Sequence, residues 1–398
     1  MNVFVINSGS SSIKYQLIQM PAAKVICSGL IDRIGLEESG IQHKTFRDGH
    51  EQVRKETVPI SDHAAGLREA ARLLTDKTIG VIGNPEEINV VGHRVVHGGE
   101  TFSKTMIITP TVKEKIKKLF PLAPLHNPAN YLGIEVAENV FSKAKQVAVF
   151  DTAFHQTMPP VAYRYAIPKV FYDQHQIRAY GFHGTSHKYV TTRAVEYLQK
   201  NDARLITIHL GNGCSMCAIK NGKCVDTSMG FGPMNGLIMG TRTGDIDQSV
   251  IFYLVNQGGH SLDEINTVLN KKSGMLGLTG FSDMRDVKNA YAKGNEEAIL
   301  AYDMYAYHIK KYIGAYLAVL NGVDAIIFTA GVGENDSLTR KLAIQNMEYM
   351  GIHLDEEKNE VGGKAIYEIN KTDAPVKILV VPTNEELEIA QQCYDLIS

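Results

Sequence analysis

Residues 3–18 read VFVINSGSSSIKYQLI, and this stretch decides the fold class. Its first four residues are apolar throughout, which predicts a buried strand, and the apolar residues Ile13, Tyr15 and Leu17 alternate with polar ones as in a second strand. Between the two lie one asparagine, one glycine and four serines, small residues that let backbone N–H groups and hydroxyls approach phosphate oxygens. The stretch therefore predicts a β-hairpin with a phosphate-binding turn.

Residues 205–220, LITIHLGNGCSMCAIK, resemble the opening stretch in their order of strand, glycine-containing turn, serine and strand. When the two stretches are laid over each other, Gly9 matches Gly213 and Ser11 matches Ser215. We interpret this similarity as an internal duplication. It predicts two similar domains, each beginning with a hairpin whose turn faces a shared cleft, where the two turns hold a polyphosphate.

Strand-like runs alternate with amphipathic helical patterns almost to the end of the chain, which favours an α/β fold. The chain has 398 residues and is long enough for two domains with well-buried cores. We place the boundary after a predicted strand at 146–150, which gives an N-terminal domain of residues 1–150 and a C-terminal domain of residues 151–383. The last helix, within 384–398, is expected to pack back on the first domain.

Three further segments have a helical pattern. Residues 184–200 form one, and residues 284–321 form one or two long ones. The third is predicted to begin with Asn127 as its N-cap and Pro128 at its first position. Its predicted apolar stripe comprises Leu132, Val136 and Val140.

The composition is ordinary for a globular protein, with 44% hydrophobic and 21% charged residues. The formal net charge of −2 predicts no general attraction to nucleic acid or to anionic membranes, so we expect neither as a partner. The sequence has no apolar run long enough for a transmembrane helix and does not open with a basic, then apolar, secretion signal. We therefore expect a cytoplasmic protein without a membrane span.

Five cysteines, an odd number in a long chain, predict reduced thiols rather than disulfides. Cys214, Cys217 and Cys224, with His209 nearby, resemble half of a zinc site. No second Cys/His pair follows at zinc-ribbon spacing, and an Asn221-Gly222 turn separates Cys224 from the other two. We therefore expect buried strand cysteines rather than a metal site.

The sequence lacks the motifs of the commonest phosphate-binding and hydrolytic enzymes. It contains no P-loop G-x-x-x-x-G-K-[ST], and the pairs Gly211-x-Gly213 and Gly331-x-Gly333 lack the third glycine of a dinucleotide fingerprint. The protein-kinase HRD and DFG pattern is absent, as are H-E-x-x-H and G-x-S-x-G. A different phosphate chemistry is therefore indicated.

Polar clusters at the ends of predicted strands are the remaining candidates. Any one alone is weak evidence, since His183 also fits a structural turn before a helix capped by Thr185 or Ser186. Arg94 is flanked by apolar residues in a strand, so its guanidinium requires a partner. The clusters are Arg94 in VVGHRVVHGGE, Asp151 in AVFDTAFH, His183 in YGFHGTSH, HLGNG at 209–213, Arg242 in MGTRTGD, Asp283-Met284-Arg285, AGVGEN at 330–335 and PTNEE at 382–386.

In this order, the clusters resemble the acetate kinase family, within the acetate and sugar kinase/actin superfamily. The resemblance runs from Asn7 to Glu386 and rests on NSGSSSIK, PLAPLHNP with VFDTAFH, and HLGNG. It implies two actin/ribonuclease-H-like domains, with mixed sheets flanked by helices around an interdomain cleft, and a homodimer. It also implies reversible, Mg²⁺-dependent transfer of the γ-phosphoryl group of ATP to acetate, giving acetyl phosphate and ADP, with Mn²⁺ as an alternative ion.

The resemblance assigns a role to residues at each cluster. The implied metal ligands are Asn7 and Glu385. The implied catalytic residues are Arg94, Asp151, His183 and Arg242. The implied substrate-binding residues are Arg94, Val96, Leu125, His126, Phe182 and Pro233. The implied ATP-binding residues are Lys14, His209, Leu210, Gly211, Asn212, Gly213, Asp283, Met284, Arg285, Gly331, Val332, Gly333, Glu334 and Asn335.

Some of these residues have structural alternatives. Thr383-x-x-Glu386 has the spacing of a capping box before a predicted helix at 384–396, which leaves Glu385 for the ion. His126 is expected either near the substrate or in a loop beside a helix start. For the apolar pocket residues, plain core packing is the alternative for at least one or two.

Elementary chemistry agrees with these residue types. Carboxyl groups titrate near ~4, so acetate is ionised at neutral pH and needs no general base. The obstacle is the approach of one anion to another, and two arginines with Mg²⁺ lower it by neutralising charge. The family's residue at the position of Asp151 is often described as a proton donor or acceptor. We expect Asp151 instead to orient Arg94 or Arg242, or to hold a Mg²⁺-bound water.

Three other functions remain open on the sequence. A propionate or butyrate kinase shares the phosphate machinery and differs in the apolar pocket, where one methylene is worth only ~1–3 kcal/mol. An actin-like or chaperone-like ATPase needs no arginine for a carboxylate, so Arg94 and Arg242 argue against it. A sugar kinase requires a catalytic base for a neutral hydroxyl.

Overall fold

The computed structural model describes residues 1–47, 49–363 and 365–398. The chain folds as two compact units, the first comprising Met1–Phe154 with Asn384–Ser398 and the second comprising His155–Thr383. The division follows Phe154, so Asp151 belongs to the first unit. None of the described helices is long and apolar enough to cross a lipid bilayer.

The described strands form one sheet in each unit. Those of the first unit are β1 (Asn2–Ser8), β2 (Ile13–Gln19), β3 (Lys24–Asp32), β4 (Ser39–Arg47), β5 (His50–Val58), β6 (Val90–Val95), β7 (Met106–Ile107) and β8 (Lys145–Phe150). Those of the second unit are β9 (Arg204–Leu210), β10 (Cys214–Lys220), β11 (Lys223–Thr227), β12 (Ala325–Thr329), β13 (Tyr367–Glu368) and β14 (Lys377–Val380).

Helices flank both sheets. In chain order they are α1 (His63–Leu74), α2 (Pro110–Lys118), α3 (Asn127–Val140), α4 (Pro160–Tyr163), α5 (Lys169–His175), α6 (Gly184–Leu198), α7 (Gln248–Asn256), α8 (Leu262–Lys271), α9 (Gly274–Thr279), α10 (Met284–Ala292), α11 (Glu296–Leu320), α12 (Ala330–Asn335), α13 (Ser337–Ile344), α14 (Glu356–Val361) and α15 (Glu385–Ile397). The helix predicted at 184–200 is confirmed as α6, and the segment 284–321 divides into α10 and α11.

The two sheets share a core of five strands. In the first unit β1–β2 and β2–β3 are antiparallel pairs, while β1–β6 and β6–β8 are parallel pairs. In the second unit β9–β10 and β10–β11 are antiparallel, while β9–β12 and β12–β14 are parallel. The predicted α/β class, with two mixed sheets flanked by helices, is confirmed.

Both units begin with the same hairpin. β1 ends at Ser8, opposite Ile13, and β9 ends at Leu210, opposite Cys214. The next pairing in each unit, β2–β3 and β10–β11, shifts its register at the equivalent point. A bulge that recurs at the same place in two hairpins supports the interpretation that the units arose by duplication.

The alignment of the two hairpins differs from the predicted one. Gly9 follows β1 directly, as Gly211 follows β9, so these two glycines correspond. The predicted match of Gly9 with Gly213 is wrong, because residues 211–213 make a turn one residue shorter than residues 9–12. The match of Ser11 with Ser215 is wrong as well, because Ser215 lies inside β10.

The C-terminal helix α15 packs on the sheet of the first unit. Ile389, Ala390 and Cys393 are buried in the same apolar cluster as residues of β1 and β6. Gly92 of β6 permits this close approach, since a Cβ atom there would lie 2.8 Å from Sγ of Cys393. The packing brings the first turn of α15, which begins at Glu385, to the unit that contains the opening hairpin.

The helix predicted from Asn127 differs in its cap and in its apolar face. His126, not Asn127, occupies the N-cap of α3, and Asn127 is the first helical residue. Of the predicted stripe, Val136 is buried and Val140 packs against the same core cluster, whereas Leu132 is exposed and Tyr131 and Ile134 are buried in its place. The inward face therefore includes Val136 but not Leu132, and the polar Asn127 also lies on it, bonded to the backbone of His97.

Candidate active site

Arg94 and Asp151 form an ion pair at neighbouring parallel strands of the first unit. Arg94 lies in β6 opposite Val149, and Asp151 follows β8 directly. Nε and Nη2 of Arg94 donate to Oδ2 of Asp151 over 2.8 and 2.5 Å, and Asp151 is only 1% exposed. The guanidinium thus has the partner that its place in a strand requires, and two bonds that converge on one oxygen set its orientation.

Three carboxylates and two cations lie near one another at this point. Burial opposes the charge of Arg94, but Asp151 and Glu385 outweigh it and raise the pKa of the guanidinium. Burial raises the pKa of the Glu385 carboxyl; Arg94 lowers it, while Asp151 and Glu386 raise it further. Lys14 pairs with Glu386. With three carboxylates against two cations, the group carries one formal negative charge in excess.

The first turn of α15 is capped differently from the prediction. Asn384, not Thr383, is the N-cap, and its side chain accepts a hydrogen bond from the backbone N–H of Leu387 over 2.9 Å. Because the helix begins one residue later than predicted, the capping position moves with it. The predicted capping box is therefore wrong, and the carboxylate of Glu386 pairs with Lys14 instead.

Asn7 and Lys14 lie opposite each other in the opening hairpin. They are register partners in the β1–β2 pairing, with Asn7 half-buried and the side chain of Lys14 54% exposed. His63 contacts the serine-rich turn between them, since its Nε2 lies 2.7 Å from the carbonyl oxygen of Gly9. Both residues therefore stand beside the predicted phosphate-binding turn.

Two asparagines of α3, whose contacts sequence reasoning missed, bond the loop after β6, and one of them, Asn130, also reaches the end of β1. Asn130 donates to the carbonyl of Ser8 over 2.7 Å and accepts from the N–H of Val96 over 3.0 Å. Asn127 accepts from the N–H of His97 over 3.0 Å and donates to its carbonyl over 2.9 Å. The sequence signal that could have revealed these contacts is the pair of asparagines three residues apart on one face of the predicted helix.

The residues expected to line an acyl pocket differ in their surroundings. In the first unit, Leu125 is 61% exposed, Val96 is half-buried and His126 occupies the N-cap of α3. In the second unit, Phe182 is buried and Pro233 is half-buried.

His183 has a strained backbone and joins a network of hydroxyl and imidazole groups in the second unit. Its φ of 56° is left-handed, a conformation that is uncommon outside glycine and concentrated at functional sites. Nδ1 of His183 and Nε2 of His187 each lie 2.8 Å from Oγ of Ser215. The His183 ring stacks on His209, with centroids 4.3 Å apart. Burial holds the pKa of His187 well below its usual range, so this ring is neutral at pH 7.

Arg242 lies beside His183 at the turn of the second hairpin. A Cβ atom at Gly213 would lie 3.2 Å from Nε2 of His183 and 3.9 Å from Nη1 of Arg242. The same Nη1 donates to the carbonyl of Pro233 over 2.9 Å, and burial lowers the pKa of the guanidinium. A cation, an imidazole and a tight turn thus converge, an arrangement suited to phosphate oxygens.

A cavity of 820 Å³ opens in the second unit, within the usual range for small-molecule sites. Eight of the residues expected to bind ATP line it: Gly211, Asn212, Asp283, Met284, Arg285, Gly331, Val332 and Asn335. The other expected residues of this unit do not: His209, Leu210, Gly213, Gly333 and Glu334. Lys14 belongs to the other unit.

The wall of the cavity also contains residues that sequence reasoning missed. Met275 and Tyr305 are buried in it, so its accessible apolar surface comes from the predicted Met284 and Val332. Lys288 adds a cation beside the predicted Arg285, which pairs with Asp283. Nζ of Lys288 lies 2.7 Å from Oδ1 of Asp336. An apolar surface next to cations suits a nucleotide, whose base is apolar and whose phosphates are anionic.

The AGVGEN segment forms α12 directly after β12. Ala330 has a left-handed φ of 65°. Like His183, it is a residue other than glycine whose backbone is strained beside the candidate site. A Cβ atom at Gly331 would meet nothing within 4 Å, so this glycine borders open space. Glu334 does not line the cavity; its side chain accepts a hydrogen bond from the backbone N–H of Thr383 over 3.0 Å.

Comparison with known proteins agrees with this geometry. The profile of the acetokinase family matches residues 2–391. The chain belongs to the acetokinase family. Relatives in this family include an acetate kinase of Flavobacterium johnsoniae, 58% identical with 100% of both chains covered. An acetate kinase of Thermotoga maritima is 51% identical, with 100% of this chain and 99% of that protein covered.

Solved structures of the acetokinase family have the same fold. The Porphyromonas gingivalis acetate kinase superposes with a TM-score of 0.94, at 45% identity and with 100% of both chains covered. A propionate kinase of Francisella tularensis superposes with a TM-score of 0.91, at 41% identity and with 98% of both chains covered. The same fold is thus found in an acetate kinase and in a propionate kinase.

Proposed function

We propose that this protein is an acetate kinase, which reversibly transfers the γ-phosphoryl group of ATP to acetate and forms acetyl phosphate and ADP. The observation that carries the proposal is the Arg94–Asp151 pair, a guanidinium fixed in place with donors left over for a second carboxylate. Membership of the acetokinase family over residues 2–391 supports the same reaction.

In this proposal Arg94 binds the carboxylate of acetate. A guanidinium has five N–H donors, of which Asp151 takes one from Nε and one from Nη2. The donors that remain on Nη1 and Nη2 form a planar edge that matches the two oxygens of a carboxylate. Val96 and Leu125 are assigned to the methyl group. Acetate is already ionised at neutral pH, so the nucleophile requires no base.

ATP is assigned to the 820 Å³ cavity of the second unit. Met284 and Val332 offer apolar surface to the base, while Arg285 and Lys288 offer charge to the phosphates. The glycine-containing turn at 211–213 lets backbone N–H groups approach the phosphate oxygens because its residues are small.

His183 and Arg242 are assigned to the transition state. Phosphoryl transfer spreads negative charge over the three equatorial oxygens, and preorganised donors stabilise that charge. The convergence of both side chains on Gly213 supports this role. An arginine placed in this way contributes ~10³–10⁵ in rate.

Asn7 and Glu385 are the proposed ligands of Mg²⁺. Amide and carboxylate oxygens are the hard ligands that Mg²⁺ prefers, and the excess negative charge of Asp151, Glu385 and Glu386 over the nearby cations fits a cation there. Bound Mg²⁺, or Mn²⁺ in its place, supplies positive charge for the phosphate oxygens. Lys14 offers an ammonium to the same phosphates.

Asp151 is assigned a positioning role. Both hydrogen bonds from Arg94 converge on its Oδ2, so the carboxylate sets the plane of the guanidinium. Because ionised acetate carries no proton to remove, the reaction does not require proton transfer by Asp151.

We further propose that the protein is a cytoplasmic homodimer. Its five cysteines are free thiols, which suits a reducing compartment. Helix α7 buries none of its residues, and its Phe252 and Tyr253 are exposed, which leaves an apolar face for a second copy. Light scattering at micromolar concentration should give the mass of a dimer, and a monomer mass would contradict the proposal.

The test of the reaction is acid-dependent formation of acyl hydroxamate from ATP and Mg²⁺, measured with acids of two to four carbons. Acetate should have the highest kcat/KM, with propionate lower by roughly 10- to 150-fold, because one methylene in an apolar pocket is worth ~1–3 kcal/mol. An optimum at propionate or butyrate would replace acetate by the longer acid. ATP turnover that ignores added acid would point to an actin-like ATPase.

A further inference from the structure

A second cluster of reactive side chains, none of which has been assigned a role above, lies in the core of the second unit. Nδ1 of His155, Sγ of Cys217 and Sγ of Cys224 all lie within 4.8 Å of one another. The two sulfurs are 3.1 Å apart, and Nδ1 lies 3.3 Å from Cys224 and 3.9 Å from Cys217. All three residues are 0% exposed. These are the donor atoms that structural zinc sites use.

A β-bulge brings the two cysteines to one face of the sheet. Cys217 lies in β10 opposite Thr227, and a continuous register would pair Cys224 with Lys220, on the other face. The register shifts between Ala218 and Ile219, so Cys224 pairs with Ile219, which shares the face of Cys217. The sequence spacing around the Asn221-Gly222 turn does not reveal that Cys217 and Cys224 lie side by side, because the spacing does not show the register shift.

The tautomer of His155 is set by its second nitrogen. Nε2 lies 2.9 Å from the carbonyl oxygen of Phe182, and because a carbonyl only accepts, Nε2 carries the proton. Nδ1 therefore presents a lone pair on the side of Cys217 and Cys224. A ring N–H bonded to a backbone carbonyl is the usual orienting contact behind a metal-bound histidine.

We propose that Nδ1 of His155 and the thiolates of Cys217 and Cys224 bind one Zn²⁺ ion as a closed structural site. Two thiolates and one divalent ion sum to zero charge, so the complex can be buried without an uncompensated charge. The main-chain oxygen of Asp226, 3.5 Å from Sγ of Cys224, is the candidate fourth ligand for the tetrahedral geometry of zinc.

The distances favour a metal over a disulfide. Tetrahedral zinc with bonds of about 2.3 Å to sulfur and about 2.0 Å to nitrogen sets ~3.8 Å between sulfurs and ~3.5 Å between nitrogen and sulfur. The distances of 3.3 and 3.9 Å from Nδ1 bracket the latter value, and the sulfurs, now 3.1 Å apart, have to separate by about 0.7 Å. A disulfide requires an approach to ~2.05 Å and makes no use of the histidine. Zero exposure also hinders oxidants.

The ion would join the β10–β11 hairpin to His155. His155 in turn bonds the carbonyl oxygen of Phe182, so the ion would also fix the position of Phe182. Phe182 directly precedes His183, whose left-handed backbone is strained. Such strain persists only where the surroundings fix it. The site therefore serves as an anchor for the loop of His183, and it takes no part in the chemistry.

The zinc content of each purified variant tests the proposal. The wild-type protein, loaded with Zn²⁺ and dialysed, should hold one zinc ion per chain by plasma mass spectrometry. Cys217→Ser and Cys224→Ser should hold less than a tenth of that. Cys214→Ser is the matched control, because Cys214 is also buried and lies in β10 but outside the cluster, and it should hold zinc like the wild type.

A measurement on the wild type covers the case that a serine variant does not fold. Co²⁺ bound in place of zinc should show thiolate-to-metal charge-transfer absorption, which oxygen ligands such as Asn7 and Glu385 do not produce. X-ray absorption of the zinc protein should give sulfur neighbours at about 2.3 Å. A folded wild type that takes up neither metal, zinc retained by both serine variants, or a Cys217–Cys224 disulfide found by mass spectrometry would each overturn the proposal.

Discussion

Replacing Asp151 by asparagine separates a positioning role from proton transfer. In the wild type, Nε and Nη2 of Arg94 both donate to Oδ2 of Asp151, over 2.8 and 2.5 Å, and the carboxylate is buried. Asp151→Asn keeps the size of the side chain and one accepting oxygen but removes the charge. We expect a folded enzyme that is slower, because Arg94 is held less firmly for acetate.

The structure sets the size of the effect. A hydrogen bond to a charged group contributes ~1.5–3 kcal/mol, about twice as much as a neutral one. Two bonds that each lose about half their strength cost ~1.5–3 kcal/mol, which lowers kcat/KM for acetate roughly 10- to 150-fold. Loss of Arg94 itself should be costlier, ~10³–10⁵-fold.

The assay is hydroxamate formation at saturating ATP and Mg²⁺, measured as kcat/KM for acetate across the acidic and neutral range. If Asp151 positions Arg94, the acidic limb of the wild-type pH–rate profile should survive in Asp151→Asn at lower amplitude. An acidic limb that vanishes in the variant would refute the reasoning, because the carboxylate would then carry the titration itself.

A double variant gives an independent check. Once Arg94→Gln has removed the guanidinium, Asp151 can no longer act through it, so adding Asp151→Asn should cost less than about threefold more. Losses that multiply in the double variant would show that Asp151 acts on the reaction without Arg94. Circular dichroism and thermal unfolding of each variant serve as controls for folding.

Two further predictions test the other half of the charge network and the imidazole network. Lys14→Met removes the cation that pairs with Glu386, whose side chain is only 13% exposed, so the free energy of unfolding should fall by about 1–3 kcal/mol and KM for ATP should rise; an unchanged KM would remove Lys14 from the ATP site. Ser215→Ala removes the hydroxyl 2.8 Å from both His183 and His187, so kcat should fall about tenfold with KM for ATP within twofold. A kcat equal to that of the wild type would show that the network does not hold His183 for catalysis.

Local patterns predicted much of the fold but less of its details. The apolar run and alternation of residues 3–18 are sufficient for β1 and β2, because the side-chain period of a strand is set by its own backbone. The cap of α15 was misplaced by one residue, since Thr383 and Asn384 are both good capping residues and only the packing of the helix selects Asn384. On the apolar face of α3 only Leu132 was misjudged, because packing against the neighbouring elements selects which apolar residues turn inward, and it selects Tyr131 and Ile134.

The sequence by itself determined the α/β class, the two opening hairpins and the need of Arg94 for a partner, because these follow from local periodicity and from the cost of burying a charge. Only the tertiary structure decided that the partner is Asp151, 57 residues away, and that His155 meets Cys217 and Cys224. Strand order and a shifted register produce these contacts. They depend on how whole sheets assemble, and no short stretch of residues encodes them.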